Sequence, residues 1–574
     1  MVLIKELKKQ IIKLINQEIK SDLSSDDLVY PPKNISGDIS FPCFSLSKIL
    51  QDNPNSIAND LSKKLLNREE IKNSFEKIEV AGPYINFFFK KEKIIQNTLE
   101  KIQEKKKKFG TNKKLESKRI MVEYAHPNPF KAFHIGHLRG TILGGAICSL
   151  LESQGAEVIR VNYQGDVGMH IAKCLWALMQ IDKKDYPENI DEKIKLITKS
   201  YAKGATAFKD NEKIQKEIRE INKKIYSRVD EEVNQIWDLG KKWSMDKFHK
   251  IFDRLGVWFE REYMESEVLD LAQQKIEEGI KKGVFVESKG AIVLPGEKHD
   301  VDTRVFLNSE KLPTYEGKEM GLCYMEFSDF GKIDLCIHNV AVEQISFFRT
   351  TFKAQELLDP EIFKGKQHHN VYEFVGLKKG KMSSRTGDVI LCEDILNEAV
   401  LKIKDLIKDR DLNQKDELAE KIGIGSVKYS FLKISPKKYL AFDLDESVNF
   451  EGDSAPYIQY SYTRIKSILD RNKFSFEVQK IDAKKLSEKI EYDLVLKLSK
   501  YEEILEIATK NYDPSELCKY CFELAKQFND YYHQVNISNA EFSIKEQRLI
   551  LIYSISIVIE NIFSLLGIDL VSEM

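Results

Sequence analysis

The sequence predicts an α/β protein with three parts: a parallel-sheet domain in mid-chain, a small α/β domain before it and an all-α bundle after it. Three observations carry that expectation. From Arg119 to Gly168 the chain reads strand, loop, helix, strand, the pattern of a βαβ unit. Before about residue 110 a helix gives way to a Pro-rich loop, a second helix and two strand-like runs. From about 436 onward Leu, Ile, Tyr and Lys recur at helical spacing, with few turn signals apart from Asp513-Pro514.

Length and composition set the frame. A chain of 574 residues suits about three domains, and 42% hydrophobic with 31% charged residues suits a soluble globular protein. The formal net charge of −1 means that any nucleic-acid contact must come from local patches. Lys101 to Arg119, with nine basic and two acidic residues, reads equally as such a patch or as a solvated linker. No apolar run of about 18 residues is evident, so no membrane span is expected. The first 20 residues alternate apolar and charged positions and lack the features of a signal peptide, so a cytoplasmic location is expected. Of the eight cysteines only Cys518 and Cys521 form a CxxC, with no second pair nearby. Buried thiols in a reducing compartment are therefore expected rather than a zinc site.

In chain order, residues 1–110 give a helix over the first 20, a loop from Tyr30 to Asp38, a helix near Ser45 to Leu66, and strands at Lys77–Val80 and Tyr84–Phe89. Phe87, Phe88 and Phe89 read as a core strand end or as base-stacking rings. The sheet domain spans about 111–435. Long charged helical patterns interrupt it between Asp182 and about Glu287, and it resumes at Lys332–Ile337, which delivers Asn339 to Gln344 to the carboxyl edge. The helical part spans 436–574.

Chemistry concentrates in the βαβ unit. Ile120 to Val122 is an apolar run ending at Glu123 and a loop with Pro127 and Pro129; Leu138, Ile142, Ala146, Leu150 and Leu151 then recur at helical spacing up to Gly155. Ligands of parallel sheets bind beyond the carboxyl ends of the strands, where His134-Ile135-Gly136-His137 lies. Two imidazoles three residues apart share a face of the first turn, and Gly136 leaves room for a ring or phosphate to approach. Unpaired amides and the helix dipole favour an anion there, which suits a nucleoside triphosphate. An isolated pair of this kind more often serves as a cap or a surface feature. A second stretch, Gly380-Lys381-Met382-Ser383-Ser384-Arg385-Thr386-Gly387, follows a strand at Val371–Val375 and precedes a strand and helix over Val389–Lys408. Its basic and hydroxyl groups suit a loop that closes on a pyrophosphate leaving group.

Taken together, the two stretches resemble the HIGH and KMSKS signatures of class I aminoacyl-tRNA synthetases. Longer stretches are similar to arginyl-tRNA synthetases: Val122-Glu123-Tyr124 through Asn128, Lys131 and HIGHLRG; NYQGDVG at 162–168; Pro313 to Glu319; Ala455 to Arg464; and Leu565 to Ile568. The resemblance implies a class I Rossmann-type catalytic domain at 111–435, an N-terminal tRNA-binding domain at 1–110 and a helical anticodon-binding domain at 436–574. It implies arginine activation with ATP and transfer to the 3′ end of tRNA(Arg), with ATP and Mg²⁺ as substrate, no bound metal or organic cofactor, and a monomer. His134, His137, Lys131 and Lys381 would be catalytic. Gly136, Met382, Ser383 and Ser384 would join the two histidines and Lys381 around ATP. Asn128 and Gln344 would hold the amino and carboxylate end of arginine and Tyr315 would line its side-chain pocket. Tyr457, Gln459, Tyr460 and Arg464 would meet tRNA. A guanidinium is a fixed fork of donors that needs a buried carboxylate, for which Glu123 and Glu319 are the candidates. Ser384 stands where KMSKS has its second lysine, and Lys131 is the candidate substitute. Ala125, Gly140, Tyr163, Val167 and His170 also depart from the family pattern. Another class I synthetase, or a tRNA-binding paralogue without catalysis, remain alternatives at this level.

Overall fold

The computed structural model describes residues 4–32, 35–378 and 390–574. The chain divides into two compact units, one comprising Thr111–Tyr457, Ala508–Cys518 and Phe563–Met574, the other Met1–Gly110, Ile458–Ile507 and Lys519–Ile562.

The first of these is built on a five-stranded, wholly parallel sheet. Its strands are β1 (Arg119–Glu123), β2 (Glu157–Gln164), β3 (Arg261–Met264), β4 (Leu335–Ala341) and β5 (Gln367–Tyr372), in spatial order β5-β4-β1-β2-β3. β1 is central and buried on both faces, which is why it reads as a continuous apolar run rather than an alternating one. Helix α1 (Ile135–Ser153) crosses from β1 to β2. A Cβ at Gly144 would lie 2.3–2.5 Å from Tyr124 atoms, so glycine allows α1 to rest directly on that ring. Met121, Val161, Tyr263, Leu322 and Cys336 share one core cluster.

The interruption expected over about 182–287 needs correction. Three helices do fill its first part: Ile190–Asp210, Glu212–Ser227 and Glu231–Arg254, each started by an Asn or Asp side chain that accepts from a first-turn amide. They bury Ile197, Ile218, Ile225 and Trp237 in a core of their own with Leu175. Arg261–Met264, however, is an edge strand of the main sheet, so the sheet resumes well before Lys332. A three-stranded antiparallel sheet over Val286–Ser288, Ala291–Leu294 and Arg304–Leu307 was not anticipated. Further on come α2 (Tyr315–Phe330) and α3 (Ile345–Leu358). The strand expected at Val371–Val375 is split between β5 and a short strand at Val375–Leu377, which pairs in parallel with Leu440–Phe442.

In the other unit a helix at Ile4–Ile19 buries Leu7, Ile11 and Ile15, and three antiparallel strands pair in the order Ile39–Pro42, Tyr84–Phe89, Phe75–Ala81. The helix expected near Ser45–Leu66 is two, Phe44–Leu50 and Pro54–Leu66, divided where Gln51 turns left-handed and Asn53 caps the second. Phe87 and Phe89 are fully buried, so they are core and not base platforms. The same unit holds long helices, including most of α4 (Ala455–Arg471). Lys8–Glu503 and Lys101–Glu502 pair at 2.5 and 2.9 Å and tie its N-terminal part to its helices.

Among the described residues one helix, Phe542–Leu565, is long and apolar enough to cross a membrane, which the sequence reading did not pick out; 78% of its apolar window is buried, as in a bundle's core helix. All eight cysteines are buried, Cys518 and Cys521 among them.

Candidate active site

A cavity of about 440 Å³ opens at the carboxyl ends of β1, β2 and β4. Its size suits a small-molecule ligand. The loop leaving β1 forms one wall. Ala125, His126 and Phe130 there adopt positive φ (81°, 55° and 64°), a conformation that costs non-glycine residues energy and that surrounding structure must hold.

His134 and His137 line the cavity and stack, ring centroids 3.7 Å apart and 16° from parallel. Their role at the helix start differs from the expected one. His134 is the N-cap residue of α1, and its Nδ1 accepts from the amides of Gly136 (3.1 Å) and His137 (3.4 Å); His137 Nδ1 accepts from the amide of His134 (3.3 Å). Ile135 donates to the Ile390 carbonyl. The first-turn amides are therefore already engaged and are not the anion site. Because each Nδ1 is an acceptor, the ring proton sits on Nε2, so each imidazole offers an Nε2–H donor in place of the amides it covers. Burial, then the neighbouring Lys131 charge, lowers the pKa of His134; burial, then His134, lowers that of His137 well below the usual value, and both rings are neutral at pH 7. Gly136 is required by His134 itself, since a Cβ there would sit 2.9 Å from the imidazole Cε1.

The other end of the cavity is acidic. Glu123, at the end of β1, and Glu319, on α2, are 2% and 3% exposed. Glu319 Oε1 has no hydrogen-bond partner among the described residues, and Glu123 Oε2 has none apart from the contact between the Glu123 and Glu326 carboxyl groups. A buried carboxylate oxygen without an N–H donor is costly, so two beside one cavity mark a place for a cationic donor. Burial pushes Glu319 up to about 8, with His338 opposing and Glu123 adding to the rise. Burial would raise Glu123 too, but His338 and then His126 hold it below the usual carboxylate range. Two turns beyond Glu319 lies Glu326, fully buried and raised well above its usual range by burial and by Glu123 and Glu319.

Asn128, Tyr315 and Gln344 line the same cavity. The Asn128 carbonyl oxygen accepts from the Gly165 amide at 2.7 Å, so its NH₂ is the group left for a ligand. Tyr315 stacks on Phe347, centroids 4.4 Å apart. Lys131 is half-buried in the loop and is not a wall of the cavity, although its charge acts on His134, His137 and His170. Lys381, Met382, Ser383 and Ser384 lie outside the described residues. The chain returns beside the histidines, where Leu391 bridges to His134 before a helix at Cys392–Ile407.

Sequence reasoning missed His126, His338 and Glu265. Glu265 lines the cavity and pairs with Lys318 at 2.5 Å, both buried. Its signal lay in position, directly after an edge strand that the sequence reading did not recognise.

On α4, Gln459 is fully buried, so it faces the helix-packing side and is out of reach of a nucleic-acid base, which corrects its expected role. Tyr457 is half-buried. The Arg464 guanidinium lies over the rings of Tyr460 (4.9 Å) and Tyr532 (4.8 Å), two tyrosines with substantial exposure.

Comparison with known proteins gives a consistent picture. Residues 1–89 match the family described as the arginyl-tRNA synthetase N-terminal domain, 98–443 the class I tRNA synthetase (R) catalytic domain and 458–574 the DALR anticodon-binding domain. Arginine–tRNA ligase of Clostridium acetobutylicum is 33% identical, the alignment covering 99% of this chain and all of that protein; the Clostridium botulinum relative (strain 657) is 34% identical over 97% of this chain and 98% of its own. The arginyl-tRNA synthetase structures of Thermus thermophilus (TM-score 0.81, 24% identity, 99% and 100% of the two chains) and Plasmodium falciparum (0.82, 19%, 100% of both) share the fold.

Proposed function

The chain belongs to the arginyl-tRNA synthetase family, an arginine–tRNA ligase by its relatives, and we propose that arginine is activated in the cavity between the stacked histidines and the buried carboxylates. The observation that carries this reading is the pair of buried carboxyls lining the cavity, Glu123 and Glu319, each with an oxygen that receives no N–H donor from the described residues. A guanidinium brings a permanent charge and a planar fork of five N–H donors, the group that such a pair accepts. Tyr315 lies against the side chain, and the Asn128 NH₂ and Gln344 meet the α-carboxylate end.

In the first step an arginine carboxylate oxygen bonds to the α-phosphorus of ATP and the bond to pyrophosphate breaks. In the second a terminal ribose hydroxyl of tRNA(Arg) bonds to the arginyl carbonyl carbon and AMP leaves. Neither step needs a strong base from the protein; placement and stabilisation of the phosphoryl charge do the work. His134 and His137 donate Nε2–H bonds to phosphate oxygens, magnesium arrives on ATP, and Lys381 with its neighbours serves the pyrophosphate. Lys131 supplies the cation that Ser384 lacks. Exposed Tyr460 and Tyr532, with half-buried Arg464 and Tyr457, offer stacking faces to unpaired tRNA bases. The enzyme acts in cytoplasmic translation, as a monomer.

The test is pyrophosphate exchange with each amino acid, tRNA present. Arginine alone is expected to support it; exchange with a different amino acid, or none with arginine, overturns the reading. Its pH dependence follows from Glu319. With a pKa near 8 this carboxyl is protonated in the empty site at pH 7, whereas the guanidinium prefers it ionised. Arginine binding therefore expels a proton, and KM for arginine should fall as pH rises from 6 to 8, by at most about tenfold per pH unit, and level off above that. A KM unchanged over this range removes Glu319 from the guanidinium site. Lys131→Ala is expected to slow exchange by roughly tenfold or more, on the scale of a lost charge-stabilising group, with partial recovery in the Lys131→Ala/Ser384→Lys double variant; unchanged exchange excludes Lys131 from the mechanism.

A further inference from the structure

Behind Glu123 the sheet places a line of buried and half-buried polar side chains that neither motif includes. β1 and β4 run in parallel with Glu123 opposite His338, and β4 and β5 with His338 opposite His369 and Cys336 opposite Gln367. Residues paired across parallel strands point to the same face, as do residues two apart on one strand. Glu123, His338 and Gln367 therefore share a face. α3 covers that face, setting Phe348 and Phe352 against the His338 ring at 5.0 and 5.1 Å.

The contacts run in one direction. Gln367 Nε2 donates to Gln355 Oε1 at 3.0 Å, which leaves Gln367 Oε1 to accept from His338 Nε2–H at 2.8 Å. With Nε2 so committed, His338 Nδ1 lies 3.4 Å from Glu123 Oε1. Both residues of this pair are almost wholly inaccessible, His338 at 0%. His338 Nδ1 makes no formed hydrogen bond, so it meets Glu123 Oε1 as an ion pair, and Glu123 Oε2 has no partner among the described residues apart from the contact that the Glu123 carboxylate makes with the buried Glu326 carboxyl.

We propose that His338 is the positioning residue of the guanidinium pocket: a buried imidazolium, braced by Gln367, that fixes one oxygen of Glu123 so that the other is held ready for the arginine guanidinium. The inference rests on the arginine reading of the cavity. It also explains why the pocket has two carboxylates for a substrate with one side-chain charge. Glu123 is matched by the protein's own cation, so Glu319 provides the charge that answers arginine.

The surroundings favour the charged ring. Burial opposes the proton, but Glu123 and then Glu319 outweigh it, and His338 is raised to about 9. The other titratable groups acting on this assembly are His126, which lies 3.7 Å from Glu123 Oε1; Glu326 on α2, raised well above the usual carboxylate range by burial and by Glu123; and His368 and His369 on β5, both lowered chiefly by burial. His338 is the one imidazole of the group with a raised pKa.

The experiment has two arms. In the first, ¹⁵N-histidine-labelled enzyme without arginine is titrated by NMR, with the His338 signal assigned by its loss in His338→Gln. An imidazolium at pH 7.5 is expected. A ring that is neutral there overturns the proposal even if arginine is activated normally, so this arm fails independently of the functional reading. In the second arm KM for arginine should rise about tenfold in His338→Gln and more in His338→Leu, the usual scale for coupled neighbours, while KM for ATP and kcat change less than about twofold. Gln367→Leu leaves the imidazole in place and removes its brace, so it should raise KM for arginine without the risk of emptying the core, and Gln367→Glu should retain tight binding. Folded His338→Gln and Gln367→Leu variants with unchanged KM for arginine overturn the positioning role. A wild-type enzyme that activates no arginine overturns the functional reading and the guanidinium part of this one together.

Discussion

Glu123→Gln should lower kcat/KM for arginine by roughly 10²-fold or more and leave KM for ATP nearly unchanged. The substitution keeps the shape of the side chain but removes its charge at the end of the central strand, where the residue is 2% exposed. Two partners lose by it. The substrate guanidinium enters a site from which water is excluded and meets a neutral amide, one of whose ends is a donor like itself. His338 loses the counter-charge 3.4 Å away that holds its proton. Breaking one partner of a buried, hydrogen-bonded charge pair costs about 2–5 kcal/mol, which is about 30- to 5,000-fold in affinity. The loss should fall on arginine alone, since the histidine pair that serves the phosphates occupies the other end of the cavity. Equal losses for ATP and arginine would mean that Glu123 supports the whole cavity rather than the guanidinium site.

The ends of this cavity differed in how far they could be read from the chain. The histidine pair, Glu123 and Asn128 lie within 15 residues of one another, in a strand-loop-helix whose periods are plain, so local pattern was sufficient to bring them together. Glu319, one turn after Tyr315 but far away in the chain, was reached through the resemblance of Pro313 to Glu319 to the arginyl-tRNA synthetases and not through local pattern. His338 and Gln367 were not legible, because their meaning comes from register: Glu123 faces His338 only when two strands more than 200 residues apart pair in one particular alignment. A single-residue slip would send His338 to the opposite face. β3 escaped notice because four residues between long helices give no usable period. Gln459 is a different case. Ala455, Ile458, Gln459, Tyr462 and Ile465 fall on one helical stripe and all are buried, so spacing already placed Gln459 inside, and its polar side chain obscured that. The amides at the start of α1 were expected to be unpaired because a helix start usually leaves them so. Only the coordinates show the imidazoles folding back to cover them.

That capping changes how the histidines must be tested. His134→Ala is expected to do two things at once: remove an Nε2–H donor from the phosphate site and uncap α1. Loss of an N-cap side chain costs about 1 kcal/mol, so a lower rate in this variant could reflect a frayed helix as much as lost chemistry. His134→Asn separates the two. Asparagine is among the best N-cap residues, and its side-chain oxygen can accept from the Gly136 and His137 amides as the imidazole Nδ1 does now. It cannot reach as far as the second ring nitrogen. His134→Asn should therefore melt with the wild type and still lose about 10²-fold or more in arginine-dependent pyrophosphate exchange, the usual loss when one donor to a developing oxyanion is removed. His134→Ala should show the same rate loss together with a lower melting temperature. His137→Ala removes the other donor and the acceptor for the His134 amide, and is expected to match His134→Ala in both respects. If His134→Asn exchanges at close to the wild-type rate, the imidazole at 134 is a cap and nothing more, and the phosphate contact belongs to His137 alone.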